Sequence, residues 1–256
     1  MRIVIKIGTS TLAHSTGRIN IRRVEELCKV ISDLKNAGNE IILVSSGAIG
    51  MGVGKLSLGG KPSDIPTKQA AAAVGQCELM YVYDKLFSEH NHTVAQILIT
   101  GDDIKNNDRR INFENTMRRL LELHVLPIVN ENDSVSISEI EIGDNDTLGA
   151  VIATATDADL LIILSDIDGL FTADPHKCED AKLLHKVTEI TPEIESMIGG
   201  VGSQLGTGGM MTKIKAAKTV NSKGIDMVIA NGSNPDVLYD IVDGKEVGTR
   251  FIAKEF

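Results

Sequence analysis

The sequence predicts an α/β protein: a mostly parallel sheet covered by helices on both faces, a three-layer αβα sandwich. Three observations carry this. Strand-length runs that are apolar throughout, such as "RIVIKIG", "EIILVSSG" and "DLLIILSD", recur along the chain, and a strand apolar on both sides is buried on both sides. Segments with helical spacing of apolar residues separate these runs, the pattern of βαβ units. Each run ends in small or polar residues, and open α/β sheets hold their ligands beyond the carboxyl ends of the strands.

In chain order, "RIVIKIG" is the first strand. "NIRRVEELCKVISDLKNAG" follows as a helix, with Val24, Leu27, Cys28, Ile31 and Leu34 on one face, Asn20 as its N-cap and Gly38 as its stop. The strand "EIILVSSG" leads into the glycine-rich turn "SSGAIGMGVG", Ser45 to Gly54. A long helix is expected from about Thr67 to Ser88. The strand "TVAQILIT", the helix "NFENTMRRLLELH" and the strand "VLPIVNEN" come next. "SVSISEIEIG" alternates with period two and reads as a half-exposed peripheral hairpin. "GDND", Gly143 to Asp146, then opens a helix, and "DLLIILSD" and "DMVIANG" are two further buried strands. The clearest internal shift falls near Asp159, so residues 1–256 read as a single domain with two lobes on one sheet, about 1–158 and about 159–256.

Composition narrows the function. Hydrophobic residues make up 42% and charged residues 24% of the 256 positions, ordinary values for a globular enzyme. A net charge of −9 argues against a nucleic-acid-binding surface, and with aromatics at 3% and no Trp there are no platforms for stacking bases. Cys28, Cys77 and Cys178 form no C-x-x-C pair and read as free thiols of a reducing, cytoplasmic compartment. His90 and His92 read as surface residues near a helix end, and no metal site is expected. The chain starts directly on a strand, and no apolar run approaches the roughly 18 residues that would span a bilayer.

Four places carry chemistry. The glycines of "SSGAIGMGVG" would let backbone N–H groups approach an oxyanion, or would simply make a flexible surface loop, and the residues alone weigh these evenly. "GTGGMMTKIKAAKTVNSKG" is not a P-loop, because Lys213 follows Thr212 instead of preceding a Ser or Thr. It still ends a glycine loop at a helix start with a lysine in the first turn, a combination able to hold phosphate. Lys215 and Lys218 on that helix read as a solvated face. Lys6, inside an apolar strand, is costly unless its ammonium meets a partner. Each acid of "GDND" alone reads as a helix cap, but three polar residues there, with "NEND" just upstream, exceed what a cap needs.

"VIKIGTS", "SSGAI", "PIVNENDSV", "IGDNDTLGA", "LSDIDGLFTADP", "GTGGMMTKIKAA" and "GTRF", in order over essentially the whole chain, resemble the glutamate 5-kinases of the amino acid kinase family. The resemblance implies the amino acid kinase fold, with an acceptor-binding lobe over about 1–158 and a nucleotide-binding lobe over about 159–256. It implies transfer of phosphate from ATP, accompanied by Mg²⁺, to the γ-carboxylate of L-glutamate, the first step of proline biosynthesis in the cytoplasm. By position, Lys6 and Lys213 resemble the lysines flanking the transferring phosphoryl group, and Asp146 the carboxylate that orients them. Ser46, Asp133 and Asn145 resemble glutamate-binding residues, with Asn130 and Asp144 near them. Lys6, Ser165 and Asp166, with the loop Thr207, Gly208, Gly209, Met210, Met211, Thr212 and Lys213, resemble the nucleotide site. The C-terminal domain of the PUA type found in many such enzymes is not expected here. Proline as feedback inhibitor, a homo-oligomer and contact with glutamyl phosphate reductase are implied as well. N-acetylglutamate, aspartate, carbamate and uridylate kinases would share the fold and the lysines, and a regulatory binding module would be expected to lack a lysine or Asp146.

Overall fold

The computed structural model describes residues 1–14, 18–60, 62–135, 144–175, 178, 180–199 and 209–253. Its elements run β1 (Arg2–Ile7), α1 (Thr9–Leu12), α2 (Ile21–Asn36), β2 (Glu40–Ser45), α3 (Ala48–Lys55), α4 (Ile65–Ser88), β3 (Val94–Ile99), α5 (Gly101–Lys105), α6 (Asn107–Glu122) and β4 (Leu126–Glu131). They continue with α7 (Asn145–Ala155), β5 (Leu160–Ser165), β6 (Lys186–Val187), α8 (Pro192–Gly199), α9 (Met210–Asn221), β7 (Asp226–Asn231), α10 (Val237–Val242) and β8 (Thr249–Phe251). The eight strands form one sheet in the order β3-β4-β2-β1-β5-β7-β8-β6. All pairings are parallel except that of β7 with β8. Strands of the first half of the chain thus lie on one side of β1 and those of the second half on the other. The chain reverses its direction of travel at β1, and its carboxyl end is where a crevice opens.

The expected sandwich is present. On one face Ile3, Ile5 and Ile7 of β1 pack with Val24, Leu27 and Ile31 of α2, Leu79 and Tyr83 of α4, and Leu238 of α10. On the other, Val4 packs with Met117 of α6, Leu148 and Ile152 of α7, and Ala217 and Val220 of α9. Full burial of one such side chain contributes about 1.5–3 kcal/mol, so the alternation of β1 is strongly fixed. Period two then puts Lys6 on the same face as Val4, under α7 and α9.

Most element expectations hold. Asn20 caps α2 by accepting from the Arg23 N–H at 3.2 Å, and Gly38 takes the left-handed conformation (φ 93°) that ends the helix. Lys215 and Lys218 are exposed, and Cys28, Cys77 and Cys178 are free thiols. Helix α4 begins at Ile65, where Asp64 accepts from the Thr67 N–H at 2.9 Å. Helix α6 begins at Asn107, five residues before the expected Asn112, because Asn106 caps it ahead of the first buried residue, Phe113.

The glycine-rich segment departs from expectation. Only Gly47 (φ 106°) makes a turn, and Ala48–Lys55 is helical. Its glycines serve contact between helices: a Cβ on Gly52 would sit 1.8 Å from the Ala71 carbonyl oxygen, and one on Gly75 of α4 would sit 1.7 Å from that of Ala48. The two backbones touch, which no residue with a side chain permits at these positions. Most of the expected hairpin "SVSISEIEIG", residues 136–143, lies outside the described residues. No helix among those described is long and apolar enough to cross a membrane.

Candidate active site

At the carboxyl end of β1, Lys6 is 8% exposed and its Nζ stands 2.6 Å from Oδ1 of Asp146, which has no exposure at all. The other oxygen, Oδ2, accepts from Nζ of Lys213 at 3.0 Å and from the hydroxyl of Thr212 at 2.9 Å. Lys213 is itself 3% exposed. Burial alone would raise the Asp146 carboxyl, but the charges and hydrogen bonds of Lys6 and Lys213 outweigh it and hold the acid below its ordinary range. Asp146 is therefore a carboxylate at neutral pH, and it pins two ammonium groups that come from distant parts of the chain.

Helix starts build the surroundings. Asp146 lies in the first turn of α7, where Asp144 is the N-cap: its Oδ1 accepts from the N–H groups of Asp146 at 2.7 Å and Thr147 at 2.9 Å. Asp144 thus has the cap role that the sequence allowed for any of these acids. Burial raises its carboxyl, with the charge of Asp146 adding to the effect and the capping bonds opposing it. Thr212 and Lys213 lie in the first turn of α9, which begins after Gly209, and α3 begins directly after Ser46 and Gly47. Asp144 thus occupies the first N–H groups of α7, whereas α3 and α9, with Gly47 and Gly209 as N-caps, have no side-chain cap, and such helix starts favour bound anions.

Beside this lies a chain of amides. Nδ2 of Asn145 donates to Oγ of Ser46 at 2.6 Å and to Oδ1 of Asn130 at 3.1 Å. Oδ1 of Asn130 also accepts from the Glu131 N–H at 2.9 Å, and its Nδ2 donates to Oε1 of Gln76 at 3.0 Å. Ser46, Asn130 and Asn145, each a candidate from the sequence, are thus in direct contact. Gln76 was not among the candidates: it stands in an alanine-rich helix and carries no local signal. Asp133, half-buried two residues past the end of β4, has its carboxyl raised to about 6, first by burial and then by the charge of Glu131.

Across β1, Ser165 ends β5 buried, with its hydroxyl donating to Oδ1 of the exposed Asp166 at 3.1 Å. Nδ2 of Asn231, at the end of β7, donates to Oδ1 of Asp168 at 2.7 Å, beside this pair. Gly209 and Met210 are half-buried at the head of α9 and Met211 is exposed, while Thr207 and Gly208 lie outside the described residues. A hollow of about 300 Å³ adjoins the cleft between α1 and α3, lined by Thr9, Ser10, Gly47 and Gly50 among others. Neither of the two α1 residues was a candidate, although they directly follow Gly8 in "KIGTS". The described residues hold no cluster of His, Cys, Asp and Glu able to ligate a metal.

Residues 1–231 match the amino acid kinase family. The chain is 55% identical to the glutamate 5-kinase of Clostridium perfringens (strain 13 / Type A), over 99% of this chain and 96% of that protein. It is 51% identical to the glutamate 5-kinase of Moorella thermoacetica, over 99% of this chain and 67% of that protein. Among solved structures, carbamate kinase from Giardia lamblia bound to AMP-PNP has a like fold, with a TM-score of 0.69, 17% identity and 98% of each chain covered. An identity of one half along nearly the full chain goes well beyond shared architecture. The chain belongs to the amino acid kinase family and, within it, to the glutamate 5-kinases.

Proposed function

We propose that the protein transfers the γ-phosphoryl group of ATP to the side-chain carboxylate of L-glutamate, giving ADP and L-glutamyl 5-phosphate, the first step of proline biosynthesis. The observation that carries this reading is the buried Asp146 with one ammonium on each oxygen. A γ-carboxylate has a pKa of about 4.3 and is ionised at neutral pH, so no general base is needed. Its oxygen attacks the γ-phosphorus, the bond from that phosphorus to the β,γ-bridging oxygen breaks, and the electron pair leaves with ADP. The obstacle is repulsion: a carboxylate about 4 Å from a phosphoryl group of charge about −2 is disfavoured by roughly 8 kcal/mol at an effective dielectric near 20. Lys6 and Lys213 offset it with two fixed charges, held by Asp146 where the equatorial oxygens gather charge in the transition state. The N–H groups at the heads of α9 and α3, which no side chain caps, act in the same sense.

In this reading Ser46, Asn130, Asp133, Asp144 and Asn145 bind glutamate in the lobe of residues 1–158. Ser165, Asp166 and the segment Thr207 to Lys213 bind ATP in the lobe that follows. Mg²⁺ enters with ATP, since it dehydrates reluctantly and binds through substrate phosphates, and both oxygens of Asp146 already face ammonium groups. Its charge adds to that of the lysines. The enzyme works in the cytoplasm as a homo-oligomer, passes its unstable product to glutamyl phosphate reductase, and is inhibited by proline. Proline keeps the α-carboxylate and cationic nitrogen of glutamate and so competes for the same anchors. The test is ADP release with hydroxylamine trapping across a panel of carboxylates and amino acids. A hydroxamate from glutamate alone is expected, and one from N-acetylglutamate or aspartate in its place would overturn the reading.

A further inference from the structure

We propose that Gln76 is a positioning residue for the substrate amino acid: it holds the amide of Asn130 and thereby sets which hydrogen bonds Ser46 and Asn145 offer to the ligand. The proposal rests on the acceptor site assigned above.

The direction of every bond in the amide chain follows from one backbone group. The Glu131 N–H can only donate, so the Asn130 atom 2.9 Å from it is Oδ1. Nδ2 of Asn130 therefore faces Gln76, whose atom at 3.0 Å must be the acceptor Oε1. The same Asn130 oxygen requires a donor from Asn145, which is Nδ2 at 3.1 Å, and the second hydrogen of that nitrogen goes to Oγ of Ser46 at 2.6 Å. Both Asn145 hydrogens are then used. Ser46 accepts from Asn145, so its own hydrogen is left to donate elsewhere, and Oδ1 of Asn145 accepts from no donor among the described residues and remains an acceptor. A donor next to an acceptor matches the α-carboxylate and α-ammonium that every amino acid carries on one carbon.

Gln76 and Asn130 are 7% and 2% exposed, so water does not readily replace either partner. The mounting is rigid. Gly75, the neighbour of Gln76, lies against the backbone of α3, where a Cβ would come within 1.7 Å of the Ala48 carbonyl oxygen and 2.4 Å of the Gly52 nitrogen. Helix α3 begins two residues after Ser46. The two ends of the amide chain, Gln76 and Ser46, are thus carried by one pair of touching helices.

The test uses the full chain and the hydroxamate assay. Gln76→Met fills the same space without an amide acceptor and leaves a buried Asn130 donor unpaired, which is expected to raise KM for glutamate roughly five- to hundredfold. It should leave kcat within about twofold and KM for ATP unchanged, the split that separates ground-state positioning from chemistry. In an Asn130→Ala background the same change should add less than about twofold, because Gln76 acts through Asn130. Gln76→Ala, a good helix former with room for a water to take the Asn130 N–H, should raise KM less than the Met variant and serves if Met does not fold. An unchanged KM in the Met variant, equal loss in kcat and KM for ATP, or effects that multiply in the double variant would each overturn the proposal. So would a larger KM rise for Ala than for Met. Wild type is the control: if it gives no hydroxamate from glutamate, the parent assignment fails, whereas active wild type with an indifferent Gln76 refutes this inference alone.

Discussion

Replacing Asp146 by Asn preserves shape and removes one charge from a site without solvent. At an effective dielectric near 20, its attractions to Lys6 at 2.6 Å and Lys213 at 3.0 Å amount to about 6 and about 5.5 kcal/mol. Desolvation of three buried ions cancels much of this, but leaving buried ammonium groups without their counter-ion still costs about 3–5 kcal/mol. At about 2–4 °C per kcal/mol for a chain of this size, Tm should fall by roughly 6–20 °C. Turnover should fall by about two to three orders of magnitude, as when an oxyanion donor is lost, because both lysines lose the group that fixes their position. KM for ATP should not rise, since the cleft becomes more positive by one charge. The pH dependence has a definite sign. The Asp146 carboxyl is depressed below 3.8 in the folded state, so its contribution is complete at neutral pH and is lost only as pH falls through that lowered value. The stability gap between wild type and Asp146→Asn should therefore be flat across the neutral range and narrow only in strong acid. Thermal unfolding together with the hydroxamate assay measures both effects. A variant with kcat within about fivefold of wild type and Tm within about 2 °C would refute the reasoning.

Asp133, raised to about 6 from 3.8, keeps its proton longer in the folded protein, so its effect on stability declines as pH rises between those values. As the proposed anchor of the α-ammonium it must be ionised. kcat/KM for glutamate should thus fall about tenfold per unit below pH about 6, and Asp133→Asn should abolish that limb of the profile. Acetylation removes the ammonium and leaves this carboxylate unpaired, so wild type should prefer glutamate over N-acetylglutamate by roughly a hundredfold or more in kcat/KM. Comparable rates on the two acceptors would remove Asp133 from the role. Gly75→Ala would drive a Cβ to 1.7 Å from the Ala48 carbonyl oxygen. The helix pair must separate, so a loss of about 3 kcal/mol or more by chemical denaturation is expected, with a raised KM for glutamate because Ser46 heads α3.

Much of this was legible in the chain because it is written locally. A lysine inside the apolar strand "RIVIKI", the helix mouth "GDND" and the glycine loop "GTGGMMTK" that sets a lysine in a first helical turn are all local signals, so Lys6, Asp146 and Lys213 were candidates before any contact was known. What escaped depends on partners far away in sequence. Gly52 resembles a turn residue, and Gly75 an ordinary member of a long helix, until the two helices are brought into backbone contact that only glycine permits. Gln76 has no periodicity to betray it, because its importance arrives with Asn130 from strand β4. The early start of α6 was missed for a simpler reason: its first turn, Asn107 to Arg110, is wholly exposed, and apolar spacing cannot signal a turn that buries nothing.

The position of β1 has a bearing on how the enzyme comes apart. It pairs along its length with β2 on one side and with β5 on the other, so its amides belong to the innermost part of the sheet. Such strands exchange their hydrogens only through global opening, whereas edge elements exchange by fluctuations of much lower free energy. Lys6 therefore rides on the last unit to be released. Fraying of the short strands β6 and β8 can occur with the lysine still in place. Activity lost at denaturant concentrations below the main transition reports on elements outside the central strands, and recovers on dilution without the sheet having to refold.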